Sequence, residues 1–204
     1  MNRKPETLSF WVGRLPHWEV VEGRYFITLR LIGALPPEAR EEIEAKSREL
    51  ANAQSPNSPN WLKVQRLIFA NMEKWLDLGK TNLWLTQAGV PEMIVEAIQI
   101  REQRGHWKML EFVIMGNHIH LFCEFGAKGM KWGMEDFKRW TGHQAAKLIP
   151  FEHKFWQHEW FDHWSRSDDE DERIINYIRN NPVKAGLVDR WQDWPWVGTN
   201  QGVR

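Results

Sequence analysis

The chain has 204 residues, of which 42% are hydrophobic and 26% charged, so it is an ordinary globular protein large enough for a substantial core. Lys plus Arg equals Asp plus Glu at 27 each, so the net charge does not indicate a nucleic-acid partner. No stretch is apolar over the roughly 18 residues that a membrane helix needs, and the first residues lack the apolar segment of a secretion signal. The single cysteine excludes an internal disulfide and is typical of a cytoplasmic protein.

The first half of the chain predicts one strand followed by helices. Residues 24–32 alternate polar and apolar side chains and are rich in β formers, which predicts a strand. Apolar periodicity predicts three helices, over 38–52, 61–78 and 91–102. A stretch rich in Pro, Asn and Ser, 54–60, predicts a loop between the first two. We therefore expect a single domain over 1–204, with a helical insertion at about 38–80 after the first strand.

The second half predicts strands and helices in alternation. Two strands, 106–115 and 117–125, meet at a Gly-Asn pair that favours a tight turn. A helix is predicted over 133–148, a strand over 155–164 and a helix over 168–180. The acidic run that begins the last helix suits the positive end of the helix dipole. Pro182 should end that helix, because the residue before a proline is biased away from the helical region.

The strand predicted over 117–125 carries His118 and His120 in an otherwise apolar run. Successive side chains of a strand point to opposite faces, so the two imidazoles project from the same face. Two adjacent imidazoles can bind a metal ion, but such pairs also occur as half-buried histidines hydrogen bonded to the backbone. The pair alone leaves both interpretations open.

Tyr177 and Asn181 are spaced i, i+4 and so are neighbours on one helix face. A phenol and a carboxamide oxygen at this spacing can face one point, with Asn181 as a third ligand beside the histidines. Two imidazoles and one oxygen, with positions left for phosphate and water, suit Mg²⁺ or Mn²⁺ acting on a phosphodiester. A nucleophilic tyrosine needs such help because its unperturbed pKa is about 10. From position alone, Tyr177 is more simply a helix residue that packs on the sheet.

Several blocks of the sequence, in order, resemble the REP-associated tyrosine transposases, which are single-tyrosine transposases of the HUH endonuclease superfamily. The blocks are LPHW at 15–18, YFITLRL at 25–31, VIMGNHIH at 113–120, FKRWT at 137–141, FWQ at 155–157, FDH at 161–163 with Arg166, and YIRNNPVKAGLV at 177–188. The resemblance runs over nearly the whole chain. It is therefore much more specific than a His-x-His pair.

The resemblance implies an α+β fold with a ferredoxin-like antiparallel sheet and helices on one face. It implies Tyr177 as the nucleophile and His118, His120 and Asn181 as ligands of a divalent metal. The substrate would be single-stranded DNA flanking a hairpin, cleaved to leave a 5′-phosphotyrosine and a free 3′-hydroxyl. Such a protein would act on DNA in the cytoplasm, associated with the nucleoid, as a monomer or a homodimer, without a membrane partner.

Five further residues are candidate DNA contacts: Lys138, Arg139, Lys147, His163 and Arg166. The first three belong to a locally basic segment, 128–147, that can track phosphates or simply form a solvated helix face. Two other functions stay open at this point. One is a catalytically idle protein that binds hairpin DNA and regulates, and the other is a zinc hydrolase in which His163 joins the histidine pair.

Overall fold

The computed structural model describes residues 3–13, 15–51, 59–79, 82–152 and 154–203. The strands are β1 Thr7–Val12, β2 Pro16–Val20, β3 Arg24–Arg30, β4 Trp107–Ile114, β5 His118–Phe125, β6 Phe161–Trp164, β7 Val197–Thr199 and β8 Gly202–Val203. The helices are α1 Pro37–Ala51, α2 Pro59–Leu78, α3 Val90–Gln103, α4 Gly129–Leu148 and α5 Asp168–Lys184. Two short 3₁₀ turns, Trp84–Thr86 and Trp191–Asp193, lie between them. None of the described helices is long and apolar enough to cross a membrane.

A six-stranded antiparallel sheet with the order β6-β3-β5-β4-β7-β8 forms the centre of the fold. Its first four strands, with α3 before β4 and α4 before β6, have the ferredoxin-like arrangement. The predicted α+β class and ferredoxin-like sheet are therefore confirmed. Strands β1 and β2 form a separate two-stranded sheet that the sequence patterns did not indicate.

Helices cover both faces of this sheet, so the expectation of helices on one face holds only for the ferredoxin-like unit and is wrong for the whole fold. The two helices of the ferredoxin-like unit share one face, where Phe137 of α4 packs on Trp107 of β4 with ring centroids 5.3 Å apart. The additional helices α2 and α5 lie on the other face, where Tyr177 of α5 packs edge-on against Phe26 of β3. The side chains of His118 and His120 project toward α2 and α5. This second face is where the candidate site forms.

The predicted elements before residue 150 are present with small shifts of their ends, and α4 begins one turn earlier than predicted. Residues 54–58 of the predicted loop lie outside the described residues, and α2 already begins at Pro59. The strand predicted over 155–164 is wrong for its first part, because only Phe161–Trp164 forms a regular strand. The preceding residues make one bridge, between Trp156 and Leu31, and single backbone hydrogen bonds to β3 and its end.

The expected helix end before Pro182 is wrong, since α5 continues to Lys184 with the proline inside its last turn. A proline lacks an N–H and disfavours a helical conformation of the residue before it. Pro182 is tolerated because α5 ends two residues later, so few helical hydrogen bonds follow the one that it cannot make. The backbone N–H of Ala185 still donates to the carbonyl of Asn181. Asn181 is therefore helical and remains directly one turn after Tyr177.

Candidate active site

His118 and His120 lie on β5 in the middle of the sheet, where they pair with Arg30 and Thr28 of β3. Their ring centroids are 4.7 Å apart. Both are almost completely buried, with exposed fractions of 1% and 0%. The predicted same-face projection is therefore present. The pair lies inside the protein, beneath α2 and α5.

Hydrogen bonds orient both rings through their Nδ1 atoms. His118 Nδ1 lies 2.7 Å from Oδ1 of Asn117, which can only accept, so this nitrogen carries the proton. His120 Nδ1 lies 2.9 Å from the Thr28 hydroxyl. The Nε2 atoms of both rings have no hydrogen-bond partner. Burial, and after it the neighbouring His120, lowers the pKa of His118 to about 3, so its Nε2 presents a free lone pair.

Glu73 of α2 brings a carboxylate to the two histidines, and it was not among the residues predicted from the sequence. Its Oε2 lies 3.4 Å from His120 Nε2, and the candidate ligand atoms of Glu73, His118 and His120 all lie within 4.8 Å of one another. Burial alone would raise the pKa of Glu73, but the neighbouring His120 and the hydrogen bond from the Tyr177 hydroxyl outweigh it and lower the pKa. Glu73 is therefore an ionised, buried carboxylate at the histidine pair.

A signal for Glu73 existed in the sequence. Phe69, Met72 and Leu76 define the apolar stripe of α2, and Glu73 stands on the same stripe. A carboxylate at such a position must find partners inside the fold, since an unpaired buried charge is very costly. The residue was therefore detectable as an exception to the stripe, although its partners were not.

Tyr177 and Asn181 of α5 complete the site. The Tyr177 hydroxyl donates a hydrogen bond to Glu73 Oε2, and its ring centroid lies 5.5 Å from that of His120. Burial, and next Glu73, raises the pKa of Tyr177 above its usual value. Asn181 is fully buried beside His118 and Tyr177. Its side chain acts to raise the pKa of His118 and to lower the pKa of Tyr177, against the larger effect of burial on each. The four residues predicted from the sequence thus lie together, with Glu73 among them.

The site has a concentration of buried polar atoms without a hydrogen bond of good geometry: His118 Nε2, His120 Nε2, Glu73 Oε1, and both Oδ1 and Nδ2 of Asn181. Buried polar atoms are nearly always paired, so a cluster of orphans indicates an absent partner. Two imidazole nitrogens, a carboxylate and an amide oxygen are a suitable donor set for a divalent cation. The residues present therefore fit a metal ion. Among the described residues, only Glu73, His118 and His120 form such a group of His, Cys, Asp or Glu side chains.

The predicted DNA contacts on α4 belong to the helix that covers the opposite face of the sheet. The Lys138 ammonium donates to the His158 carbonyl, and burial lowers the pKa of Lys138 to about 8. Arg139 is exposed and forms an ion pair with Asp136 at 2.9 Å, and exposed Lys147 donates to Gln144. These three residues are not brought to Tyr177. Their contact with DNA stays a prediction.

His163 and Arg166 lie nearer to Tyr177, at one edge of the sheet. His163 is held by Gln65 at 3.1 Å and by Glu170 at 2.9 Å, so both its ring nitrogens are engaged. The Arg166 guanidinium stacks on Trp164 and donates to its carbonyl. His163 is not part of the metal-ligand group, which contradicts the zinc hydrolase that would have used it as a third ligand.

Comparison with solved structures finds a similar fold in a tyrosine transposase. The chain is similar to a REP-associated tyrosine transposase bound to a REP hairpin, with a TM-score of 0.58 and 16% sequence identity. The similarity covers 89% of this chain and 79% of the other. No protein-family profile matches the chain, and no curated protein matches it. The resemblance seen in the sequence is therefore confirmed at the level of the fold.

Proposed function

We propose that the protein is a metal-dependent single-stranded DNA endonuclease and strand transferase, a transposase-type enzyme that cuts next to DNA hairpins through a 5′-phosphotyrosine. The observation that carries the proposal is the contact of the Tyr177 hydroxyl with Glu73, inside a cluster of unpaired ligand atoms. A tyrosine that only packs on a sheet has no need of such surroundings. We further propose that the whole chain acts as one HUH-type domain, with 38–80 as an insertion, working on DNA in the cytoplasm.

In this function His118, His120, Glu73 and Asn181 hold Mg²⁺ or Mn²⁺. When bound, the cation polarises the scissile phosphate and stabilises negative charge on the leaving oxygen. The two histidines are suited to this role because Asn117 and Thr28 fix their orientation. The negative charge of Glu73 strengthens the binding of a divalent cation.

Tyr177 is the nucleophile of the proposed reaction. Its oxygen forms a bond to phosphorus while the bond from phosphorus to the 3′ oxygen breaks, and the 3′ end leaves as a hydroxyl. Glu73 Oε2 accepts the hydrogen bond from the phenol, so it is placed to take up the phenol proton, and a proton is returned to the departing oxygen. Attack by a 3′-hydroxyl on the phosphotyrosine reverses these changes and joins strands without ATP.

A cavity of about 590 Å³ gives a route to the Tyr177 hydroxyl. Tyr177 and Glu73 line it together with two exposed cations, Lys74 and Lys184. The Lys184 ammonium lies 5.8 Å from the centre of the Tyr177 ring. Asp77 also lines this cavity and forms an ion pair with Lys184 at 2.7 Å, so Lys74 is the cation best placed to meet an entering phosphate.

Covalent capture tests the proposal. The protein is incubated with Mn²⁺ and labelled hairpin oligonucleotides that carry randomised single-stranded flanks, and adducts are separated on denaturing gels. Wild type should form an adduct, and Tyr177→Phe should form none. Tyr25→Phe is the matched control, because Tyr25 is the other of the two tyrosines and its hydroxyl bonds to the backbone of Val20, away from the histidine pair. An adduct that persists in Tyr177→Phe would disprove the assignment.

The rival function is a hairpin-binding regulatory protein without catalysis. Its specific support is the almost complete burial of all four proposed ligands. Such a protein would bind hairpins in EDTA and form no adduct with any divalent metal. His120→Ala separates the two functions, since the enzyme should keep hairpin binding and lose only cleavage.

A further inference from the structure

A second cavity, of about 420 Å³, lies on the other side of Tyr177. Phe69 and Tyr177 line both cavities and so form the wall between them. The second cavity contains none of the candidate metal ligands. Its volume is in the range of pockets that hold a small organic group. Tyr177 itself is part of the lining of this cavity, so any group bound there would lie against the proposed nucleophile.

Aromatic side chains from three different elements line this cavity. Phe26 of β3, Phe69 of α2 and Phe161 of β6 contact one another in series, with ring centroids 5.3 Å apart for the first pair and 5.1 Å for the second. Ile174 of α5 adds an aliphatic surface. Flat, uncharged groups bind well between such walls. The lining therefore favours a planar ring over a charged or flexible group.

The cavity also has a polar end and a cationic rim. Gln65 is fixed there, because its amide donates to the Asp162 carbonyl and its oxygen contacts His163. Arg66 and Arg173 are exposed where the cavity meets solvent, whereas Glu170, an acidic residue that also lines the cavity, is held by His163 at 2.9 Å. Positive charge outside an aromatic pocket matches a nucleotide, whose base is planar and whose phosphates are anionic.

We propose that this cavity is a subsite for one unpaired nucleobase, belonging to the nucleotide next to the phosphate that Tyr177 attacks. The base stacks against Phe69 and Phe161, and the flanking phosphates pass Arg66 and Arg173. Enzymes that act on nucleic acids commonly hold an extruded base between aromatic or apolar side chains. The proposal rests on the proposed function, and it deepens that function by giving the enzyme its own contact with the cleavage sequence.

Abasic substitution tests the subsite. In oligonucleotides whose cut position has been mapped, each nucleotide around the cut is replaced in turn by an abasic one, and single-turnover adduct formation is measured. One position should lose about tenfold in rate, as expected when one base–aromatic stack is removed. In Phe161→Leu, which keeps an apolar side chain but removes the ring, that abasic penalty should vanish. Phe10→Leu, on exposed β1 outside the cavity, should keep it.

Two outcomes would overturn the proposal: an equal effect of abasic sites at every position, or an abasic penalty that Phe161→Leu leaves unchanged. Ile174→Trp is a second variant from another element, which should fill the cavity and also remove the penalty. If wild type forms no adduct at all, the proposed function fails. The subsite is then judged by equilibrium binding of a short thymidine oligonucleotide and its abasic counterpart. The preference for the base should fall about tenfold in both cavity variants but not in Phe10→Leu.

Discussion

Replacing Glu73 with glutamine should separate the metal-binding role of this side chain from its role in packing. Glutamine keeps an oxygen that accepts the Tyr177 hydrogen bond, and it removes a buried negative charge. A hydrogen bond to a charged group contributes about 1.5–3 kcal/mol, and one between neutral groups about 0.5–1.5 kcal/mol. The lost charge also removes a desolvation cost. Without metal, the free energy of unfolding should therefore change by less than about 1 kcal/mol.

With a divalent cation the same substitution should have a large effect. A ligand at 100 times its Kd stabilises the folded state by about 2.7 kcal/mol. If loss of the carboxylate weakens binding about 100-fold, the same relation leaves about 0.4 kcal/mol. For a chain of this size, 1 kcal/mol corresponds to roughly 2–4 °C in Tm. The rise in Tm caused by the cation should thus fall from about 5–11 °C to about 1 °C.

Thermal unfolding of EDTA-treated protein across a Mn²⁺ titration measures both effects. Asp77→Asn is the matched control, because it removes the same charge one turn further along α2, where the carboxylate pairs with Lys184 at 2.7 Å. This control should keep the full rise in Tm. The reasoning is refuted if Glu73→Gln keeps it as well, or if the substitution unfolds the protein without metal.

Two further predictions concern the ends of α5. Asp171 is buried against Arg3 and Arg24, whose hydrogen bonds overcome the effect of burial and lower its pKa, so Asp171→Asn should reduce the free energy of unfolding by about 2 kcal/mol at neutral pH. The difference in stability should be complete above pH 3.8, the ordinary pKa of the carboxyl, and should disappear as the pH falls through the lower pKa of Asp171 in the folded state. Urea unfolding of both proteins at neutral and at acid pH measures it. A difference that does not change with pH would contradict this account. Gly186 follows α5 with φ of 68°, so Gly186→Ala should cost about 1 kcal/mol and Gly186→Asn less; equal stability of the alanine variant and wild type would count against this account.

The parts of the site that were predictable are those fixed by local spacing. The two-residue period of a strand put His118 and His120 on one face, and the helical period put Tyr177 beside Asn181. Neither periodicity predicts that the strand face with the two histidines and the helix face with the tyrosine contact each other. That step came from the resemblance of several blocks to one family, and the packing of Tyr177 against His120 agrees with it.

Glu73 and the irregular segment before β6 show why the rest was not predictable. Glu73 stood out only as a charged residue on the apolar stripe of α2. Its partners depend on how α2 lies across the sheet, and the helical periodicity of the sequence carries no information about that. The residues from Phe155 to Trp160 are rich in strand formers, so they read as strand. In the fold they form one bridge, between Trp156 and Leu31, and single hydrogen bonds to the chain at β3 instead of a continuous ladder, which the residue types do not reveal.

The origin of Glu73 on α2 has a thermodynamic consequence. One ligand of the proposed metal site comes from a helix that is separate from the sheet strand and from the tyrosine helix. If α2 must become ordered for the cation to bind, the free energy of that ordering weakens the apparent metal affinity. By the same linkage, a bound cation stabilises the ordered position of α2. Helix α2 would then report metal occupancy, because its amide protons would exchange more slowly when the site is filled.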